Sequence, residues 1–354
     1  MKLTKIFRAL LLAAGLAPAC ATAQTTDALV ATLQHGDETK VFTGTDAFIN
    51  AYNAAADSAD IITLSSGTFN SPQYVRKSIT VYGAGWETDG AGTAPTYISG
   101  NIYLQNRDIV DEDGNSIKGG GKLSGLHFEG LYFGNILFEN YSSYFSDQYW
   151  KDLKNLTFKK CYFNAIVTNC PSENIKIEQC YIKGHNIGGN ENVGSTRPLF
   201  HKNLHISNCH LTYINATNGS TVFVENCILS GTTYNSPAFY SNCIIYGILN
   251  QGSTANRNIF VARNSAGSGV LENEPNWYNI QESGIFADGA KANRTFELKY
   301  PNKYIGTDGT QVGVHGGRYP WSKIPATPRI VESNIDTETS AEGKLKVSIK
   351  VEAH

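Results

Sequence analysis

Apolar and polar residues alternate in a short pattern that recurs along the middle of the chain. In the copy NLTFKKCYF at 155–163, Leu156 and Phe158 fall on one side, two lysines follow, and Cys161 and Phe163 return to that side. Successive side chains of a strand point to opposite faces, so an alternation that restarts after two polar residues indicates two short strands separated by a bend.

The other copies align with this one on its cysteine. They read GLHFEGLYF (125–133, without cysteine), NIKIEQCYI (174–182), NLHISNCHL (203–211), TVFVENCIL (221–229) and AFYSNCII (238–245). The segments between the copies vary in length, as loops on a solenoid do. Stacking the copies at about 4.8 Å would pair each strand with its counterpart in the next copy and bury the inward side chains in one continuous core.

The repeat therefore predicts an all-β fold, a right-handed parallel β-helix (solenoid). Its N-terminal end is predicted to carry a capping amphipathic helix, because Phe48, Ile49, Tyr52 and Ala55 would share one side of a helix within 43–69. The predicted fold of this chain also includes a C-terminal extension that contains a β-strand.

Five cysteines of the repeat share one inward position, and we expect them to form a structural ladder. They are Cys161, Cys180, Cys209, Cys227 and Cys243. In-register side chains of parallel strands stay about 4.8 Å apart, whereas the Cβ atoms of a disulfide approach to about 3.8 Å. We expect buried thiols, with Cys170 in a loop outside the ladder; a strained Cys161–Cys170 bridge is the alternative.

The position just before each cysteine predicts the bend between the two strands. It holds Lys160, Gln179, Asn208, Asn226 and Asn242. Asparagine tolerates left-handed backbone and hydrogen-bonds nearby main chain, so this column is interpreted as structural.

The N-terminal region adds two glycine corners, Gly67-Thr68-Phe69 and Gly83-Ala84-Gly85, the second within RKSITVYGAGW at 76–86. Together with the repeat, these features resemble the secreted bacterial proteins of the pectin-lyase-like superfamily over roughly Val41 to Gly317. The resemblance implies a right-handed parallel β-helix. It implies little about chemistry, because a fold does not fix function.

Polysaccharide-cleaving enzymes that this chain resembles use acidic residues on the outer face, as acid–base groups or as calcium ligands beside a basic residue. Here no aspartate lies between Asp152 and Asp288, and the polygalacturonase-like motifs Asn-x-Asp, Asp-Asp and Gly-His-Gly have no counterpart in the repeat. Glu129, Glu178 and Glu225 share an outward position that we interpret as a solvated face. We therefore predict no catalytic residue, no metal site and no cofactor.

Two other polar clusters have ordinary structural interpretations. His201, His205 and His210 have no acidic neighbour in sequence, so we interpret them as surface histidines rather than metal ligands. Residues 111–115 alternate like the start of a calcium loop, but the terminal acidic ligand is missing and Asp113-Gly114 also suits a hairpin turn. We expect the turn.

The insert YSSYFSDQYW at 141–150 is the candidate glycan-binding loop. It places five rings in ten residues: Tyr141, Tyr144, Phe145, Tyr149 and Trp150. Aromatic rings in a loop can stack on sugars or on another protein. The alternative is that the loop folds over the solenoid and buries them.

Outward positions of the later copies become apolar. Four residues before the cysteine they run Thr157, Lys176, His205, Phe223 and Phe239, and one residue after it they run Tyr162, Tyr181, His210, Ile228 and Ile244. A contiguous apolar surface is usually covered. Residues 306–321 resemble the last coil of the solenoid, and the C-terminal segment beyond them is the candidate cover.

The final stretch predicts one more strand. From Leu345 to Val351, apolar residues alternate with lysine and serine, which indicates a half-buried strand with no hairpin partner of its own. Such a strand can pack on the solenoid or add to a sheet of a protein partner. Its lysines would protect an open edge.

The first 23 residues predict export. Three basic residues precede an apolar run, and Ala21-Thr22-Ala23 suits cleavage before Gln24. We expect soluble export to the periplasm, cell surface or medium rather than lipid attachment at Cys20, because Ala17 and Pro18 stand where lipoprotein signals prefer Leu and a small unconstrained residue. No later run is long enough for a transmembrane segment. A net charge of −2 and a pI of about 6.4 give no basic surface for nucleic acid.

These observations divide the chain into a signal peptide (1–23), a capped β-helix domain (24–317) and an extension (318–354). The favoured function is a non-catalytic, secreted or cell-surface module that binds polysaccharide or serves in adhesion or as a scaffold. One alternative is a pectate-lyase-like or polygalacturonase-like enzyme, a lyase or a hydrolase, with a diverged site. Another is an assembly subunit that docks through its final strand.

Overall fold

We describe the protein from a computed structural model. It describes residues 28–56, 58–90, 92–106, 109–110, 116–117, 123–138, 152–168, 170–184, 187–189, 201–216, 219–232, 237–325, 328–335, 342 and 346–352. The candidate glycan-binding residues Tyr141, Tyr144, Phe145, Tyr149 and Trp150 lie outside the described residues, as do Leu345 and the signal region.

The described elements, in chain order, are β1 (Val30–His35), β2 (Glu38–Thr43), α1 (Ala47–Ala54), β3 (Ser58–Leu64), β4 (Gly67–Asn70), β5 (Ser78–Tyr82), β6 (Thr96–Ser99), β7 (Ile102–Leu104), β8 (Ile109–Val110), β9 (Ser116–Ile117), β10 (His127–Glu129), β11 (Ile136–Phe138), β12 (Leu153–Lys159), β13 (Tyr162–Phe163), β14 (Ile166–Thr168), β15 (Ser172–Glu178), β16 (Tyr181–Ile182), β17 (Ile187–Gly189), β18 (His201–Ser207), β19 (His210–Leu211), β20 (Ile214–Asn215), β21 (Val222–Glu225), β22 (Ile228–Leu229), β23 (Phe239–Ser241), β24 (Ile244–Ile245), β25 (Thr254–Asn256), β26 (Ile259–Val261), β27 (Trp277–Ile280), a 3₁₀ helix (Glu282–Gly284), β28 (Arg329–Ile335) and β29 (Val347–Glu352).

Most strands belong to three sheets. The long sheet has the order β2-β1-β3-β5-β10-β12-β15-β18-β21-β23-β25, the second sheet β13-β16-β19-β22-β24-β26-β27, and the third sheet β20-β17-β14-β11-β7. Pairing is parallel in the second and third sheets and from β3 onward in the long sheet, whereas β1 pairs antiparallel with β2 and β3. The prediction of an all-β chain with parallel pairing between successive copies is confirmed.

The chain visits the three sheets in rotation. Strands β12, β13 and β14 give one strand each to the long, second and third sheets, and β15–β17 and β18–β20 repeat that order. The bend between the first two strands of each copy is left-handed, with φ of 49° at Lys160, 54° at Gln179 and 51° at Asn208. The predicted bend column is therefore confirmed.

Inward side chains from all three sheets form one hydrophobic cluster. Along the long sheet it contains Phe128, Phe158, Ile177, Ile206 and Val224, each fully or almost fully buried. At the N-terminal end, α1 contributes its buried Phe48 and Tyr52 to the same cluster. The helix predicted within 43–69 is thus confirmed, and it begins and ends inside that range.

A cover segment, residues 282–325, runs along the outside of the second sheet. Its side chains and the outward side chains of that sheet form a second hydrophobic cluster, which includes Ile228, Ile244, Phe296 and Trp321. The prediction that residues 306–321 are the last coil is wrong. Gly306 instead lies against an earlier bend, since a Cβ there would fall 2.5 Å from the side chain of Asn242.

The bend column holds the cover segment in place. Asn242 accepts a hydrogen bond from the Thr307 amide (2.8 Å). Asn208 donates to the carbonyls of Val314 (2.9 Å) and Gly316 (2.8 Å). Earlier bends continue the series, because Gln179 donates to the carbonyls of Tyr319 and Pro320, and Lys160 to that of Ile324. The cover segment therefore runs back towards the N-terminal copies.

The final strand has a hairpin partner, contrary to the sequence-based prediction. β29 pairs antiparallel with β28. Residues 336–346 separate the two strands in the sequence, so the pairing was not evident there. β28 is fixed to the body, because Arg329 donates to the Ala84 carbonyl (3.1 Å) and forms a buried ion pair with Asp89 (2.5 Å). The amide of Ala28 also donates to the Ser333 carbonyl (3.1 Å).

Candidate functional site

The cysteine ladder is a structural feature of the core. Each of its five sulfurs is a fully buried thiol, and the amide of Cys161 donates to the sulfur of Cys180 (3.4 Å), as does that of Cys180 to Cys209 (3.3 Å). Burial raises the pKa of the Cys161 and Cys180 thiols well above the usual value. These groups therefore stay protonated and do not form a nucleophilic site.

The disulfide alternative for Cys161 is not formed. The Cys161 thiol donates instead to the Phe128 and Lys159 carbonyls, at 3.6 and 3.2 Å. Cys170, expected in a loop, is buried in the hydrophobic core directly before β15.

Two columns of side chains face outward on the long sheet, at positions that alternate with the core residues. The first outward column comprises Thr80, His127, Thr157, Lys176, His205, Phe223, Phe239 and Thr254. The second outward column comprises Tyr82, Glu129, Lys159, Glu178, Ser207, Glu225, Ser241 and Asn256. From β10 to β23 the two columns extend roughly 24 Å, at about 4.8 Å per strand.

A row of stacked rings occupies one end of the first outward column. The centroids of His205 and Phe223 are 4.6 Å apart and those of Phe223 and Phe239 are 5.2 Å apart, with interplanar angles of 20° and 15°. Phe239 is 51% exposed, and its next neighbour in the column is the small Thr254. One face of the Phe239 ring and the edges of the other rings are therefore open to a ligand.

The sequence predicted a cover over both apolar outward columns, and within the described ranges of the chain a cover is found over the column of the second sheet. Ile228 and Ile244, one residue after the cysteines, are buried beneath the cover segment. The ring row on the long sheet stays exposed. The difference arises because side chains of the bend column hydrogen-bond to the cover segment and hold it along the second sheet.

A polar cluster occupies the other end of the outward columns. Glu129 accepts a hydrogen bond from His127 (3.2 Å) and forms an ion pair with Lys159 (3.7 Å), while the ring of Tyr82 packs against that of His127 at 5.7 Å. The solvated-face interpretation is wrong for Glu129, which is only 1% exposed. It is correct for Glu225, which is exposed.

The Glu129 carboxyl is ionised in this setting. Burial acts to raise its pKa, but the hydrogen bond from His127 and the charges of Lys159 and Lys160 outweigh burial and hold the pKa below its usual value. Burial and the Glu129 charge raise the pKa of Tyr82. The cluster thus presents the partly exposed imidazole of His127 and ammonium group of Lys159, and the buried Glu129 carboxylate holds both in position.

Two of the histidines interpreted as surface residues are buried. His201 lies between the hydroxyls of Thr168 (3.1 Å) and Ser172 (2.7 Å), and burial lowers its pKa to about 4. His210 stacks on Tyr181 at 4.6 Å and on Phe296 of the cover segment at 5.2 Å. Both therefore serve the packing of the fold, and only His205 is an exposed ring.

A cavity of about 360 Å³ lies where the cover segment meets the N-terminal part of the chain. It is lined in part by Glu87, His315, Trp321 and Lys323. Lys323 and Arg294 both form ion pairs with Glu87, at 2.6 and 3.1 Å. These charged groups are engaged with one another, so they hold the cover segment to the body.

In the part of the chain that the structure describes, no group of three or more His, Cys, Asp or Glu side chains could hold a metal ion. No helix in that part has the length and apolar character needed to span a membrane. The strands flanking residues 111–115 pair antiparallel, as expected for a hairpin.

A scan against protein-family models and searches of curated proteins and solved structures find no match for the chain.

The ring row was visible in the sequence as three apolar or aromatic outward positions, but its stacking and exposure were not. Stacking requires the parallel register of β18, β21 and β23, which brings His205, Phe223 and Phe239 to one line. The buried state of Glu129 had no sequence signal, because it depends on neighbours contributed by other strands.

Proposed function

We propose that this protein is a secreted or cell-surface right-handed parallel β-helix, resembling the pectin-lyase-like superfamily, that binds an extended glycan along the outward columns of the long sheet. The rotation of the chain through three sheets supports the β-helix, because each passage contributes one strand to every face of a coil. The predicted signal peptide supports export.

The observation that carries the proposal is the exposed ring row. Sugar rings present CH-rich faces that pack on aromatic side chains, and the open face of Phe239 is available for such a contact. The second outward column runs beside the rings and offers hydroxyl, amide and carboxylate groups at Ser207, Glu225, Ser241 and Asn256. An apolar strip beside a polar one matches the two kinds of surface that a sugar presents.

The shape of the surface favours a polymer. The outward columns extend roughly 24 Å from β10 to β23, because parallel strands stack in register. A linear chain of sugars could contact several strands at once, and several weak contacts on one ligand add through effective concentration. A scaffold or adhesion role is compatible with the same surface.

The test is affinity electrophoresis of the protein from Gln24 onward in gels that contain neutral or acidic polysaccharides. We expect retention by at least one polymer, and Phe239→Ala with Phe223→Ala should weaken it by roughly tenfold, near the upper range for aromatic contacts. Tyr319→Ala is the matched control, because that ring is 64% exposed but lies outside the long sheet. Tyr149→Ala with Trp150→Ala tests the loop predicted from the sequence.

Failure of the parent protein to bind any polymer would reject glycan binding. Equal retention of the Phe223/Phe239 variant and the parent would reject the ring row as the site.

A diverged lyase or hydrolase is the second candidate, and the polar cluster is the observation in its favour. His127 is held by a buried carboxylate and remains partly exposed, as a proton-transferring group requires. Incubation with uronic-acid polymers, with and without calcium, distinguishes the candidates. Product release that His127→Ala abolishes would establish the enzyme, whereas retention without cleavage supports the binding module.

A further inference from the structure

The hairpin of β28 and β29 is attached to the body through one of its two strands. Arg329, Ile330 and Ser333 of β28 are each buried to 1–2% exposure, whereas Val347 and Val351 of β29 are 37% and 55% exposed. Among the described residues, β29 pairs with β28 alone. A two-stranded hairpin is marginally stable in water, and a third strand would stabilise it.

The two faces of β29 differ in character. Val347, Ile349 and Val351 lie on the same face as Ser333 and Ile330, their partners or neighbours in β28. The body covers Ile330 and Ser333 on this face and Arg329 on the other, leaves Val347 and Val351 exposed, and leaves Ile349 partly exposed. Lys346, Ser348, Lys350 and Glu352 occupy the other face.

The sequence of β29 is complementary to itself in the antiparallel direction. Pairing centred on Ile349 places Val347 opposite Val351, Ser348 opposite Lys350, and Lys346 opposite Glu352. Apolar pairs and opposite charges directly across antiparallel strands stabilise a sheet. In this arrangement neither Lys346 nor Lys350 lies directly opposite another lysine, whereas in a parallel, in-register pair each would face its own copy.

We propose that β29 pairs antiparallel with β29 of a second copy of this chain, with Ile349 of each copy at the two-fold axis. The contact joins two hairpins into a four-stranded sheet and is isologous, as in most closed dimers. It continues the apolar row from one copy to the other. β29 belongs to a two-stranded sheet that is separate from the long sheet, so a dimer would carry two copies of the outward columns.

Cysteine cross-linking tests the register. Directly opposed residues of antiparallel strands have Cα atoms about 4.5 to 5.5 Å apart, within disulfide range. Under mild oxidation Ile349→Cys should therefore give a covalent dimer. Val347→Cys is the matched control: its two copies would lie about 13 Å apart along the strands and should not cross-link. The double variant Val347→Cys with Val351→Cys should cross-link again.

Light scattering coupled to gel filtration tests the dimer without oxidation. The parent should elute as a dimer. Ile349→Lys places two like charges opposite each other at the two-fold axis, so this variant should elute as a monomer. Its circular dichroism spectrum should be the same as that of the parent. Cross-linking of the Ile349 and Val347 single variants to the same extent would overturn the register. A monomeric parent without specific cross-linking, or a dimer that persists in Ile349→Lys, would overturn the proposal.

Discussion

His210 has an environment that couples the stability of the protein to pH. Its ring is sandwiched between Tyr181 and Phe296, one nitrogen is hydrogen-bonded to Ser230 (3.1 Å), and the other has no partner among the described residues. Burial, together with the charges of Lys291 and Arg294, lowers its pKa to about 4 from 6.5. The folded protein therefore keeps this ring neutral at pH values where the unfolded chain protonates it.

We predict that His210→Phe becomes more stable relative to the parent as the pH falls from about 6.5 to 4. In that window the unfolded parent binds a proton that the folded parent does not, so its free energy of unfolding falls by up to about 1.4 kcal/mol per pH unit. Phenylalanine keeps the stacked ring and has nothing to protonate. Urea unfolding of both proteins across this range measures the difference.

The control for His210→Phe is Val224→Ala, a truncation in the core that changes no titratable group. Its effect on the free energy of unfolding should be the same at every pH. A difference between His210→Phe and the parent that does not change between pH 6.5 and 4 would contradict the buried neutral imidazole.

At the residue scale, a backbone conformation could be predicted from the sequence where the residue type itself favours it. Asn208 and Asn242 have positive φ because asparagine tolerates that region, and their position before the cysteine was sufficient to predict it. The burial of His210 and Glu129 could not be predicted in this way. Their side chains face outward as predicted, but burial on an outward face depends on what other parts of the chain place over it.

The attachment of the cover segment is the feature that decides which of the sheets keeps an exposed outer face. Asn208 contributes twice, through its left-handed backbone (φ 51°) and through two hydrogen bonds to the cover segment. Glycine and alanine separate these contributions, because glycine adopts the left-handed conformation without strain, whereas alanine adopts it only at a cost in free energy.

We predict that Asn208→Gly destabilises the protein by about 1–3 kcal/mol, the cost of leaving the buried Val314 and Gly316 carbonyls without their donor. Asn208→Ala should cost about 1 kcal/mol more, for the left-handed conformation. Urea unfolding measures both, and hydrogen exchange should show faster exchange at residues 312–317 in each variant. Equal stability of the two variants would contradict the separate backbone contribution.

At the element scale the strands were predictable and the cover segment was not. The two strands of each copy follow from the alternation around Cys161 and its counterparts, since one face must be buried. The cover segment accepts hydrogen bonds from the bend column through its own carbonyl groups, as at Val314 and Ile324, and a main-chain acceptor leaves no trace in the sequence. The glycines of 306–321 were visible, but close approach to another element and a coil corner both require glycine.

At the scale of the whole molecule, the cysteine ladder connects successive copies of the repeat into one unit. Amide-to-sulfur hydrogen bonds run from Cys161 to Cys180, on to Cys209 and Cys227, and end at Cys243. Stacked repeats can open from their ends, because each copy contacts only its neighbours. Here the cover segment also contacts bends from Asn242 to Lys160, so it ties distant layers together.

We predict that the thiols of the protein from Gln24 onward do not react with an alkylating reagent in the native state and become reactive together as urea is raised. All six are buried, so labelling requires opening of the fold. Pulsed alkylation followed by peptide mass spectrometry gives the urea midpoint for each cysteine. The midpoints of Cys161 and Cys243 should coincide in the parent, because the cover segment makes opening cooperative.

Asn208→Gly provides the comparison, since it removes two anchors of the cover segment and leaves every cysteine in place. In this variant the midpoints of Cys161 and Cys243 should separate, because the layers on either side of Asn208 lose part of their common tie. Separate midpoints already in the parent would show that the stacked copies of the repeat open one after another. The cover segment would then shield one face without contributing to the cooperativity of the whole fold.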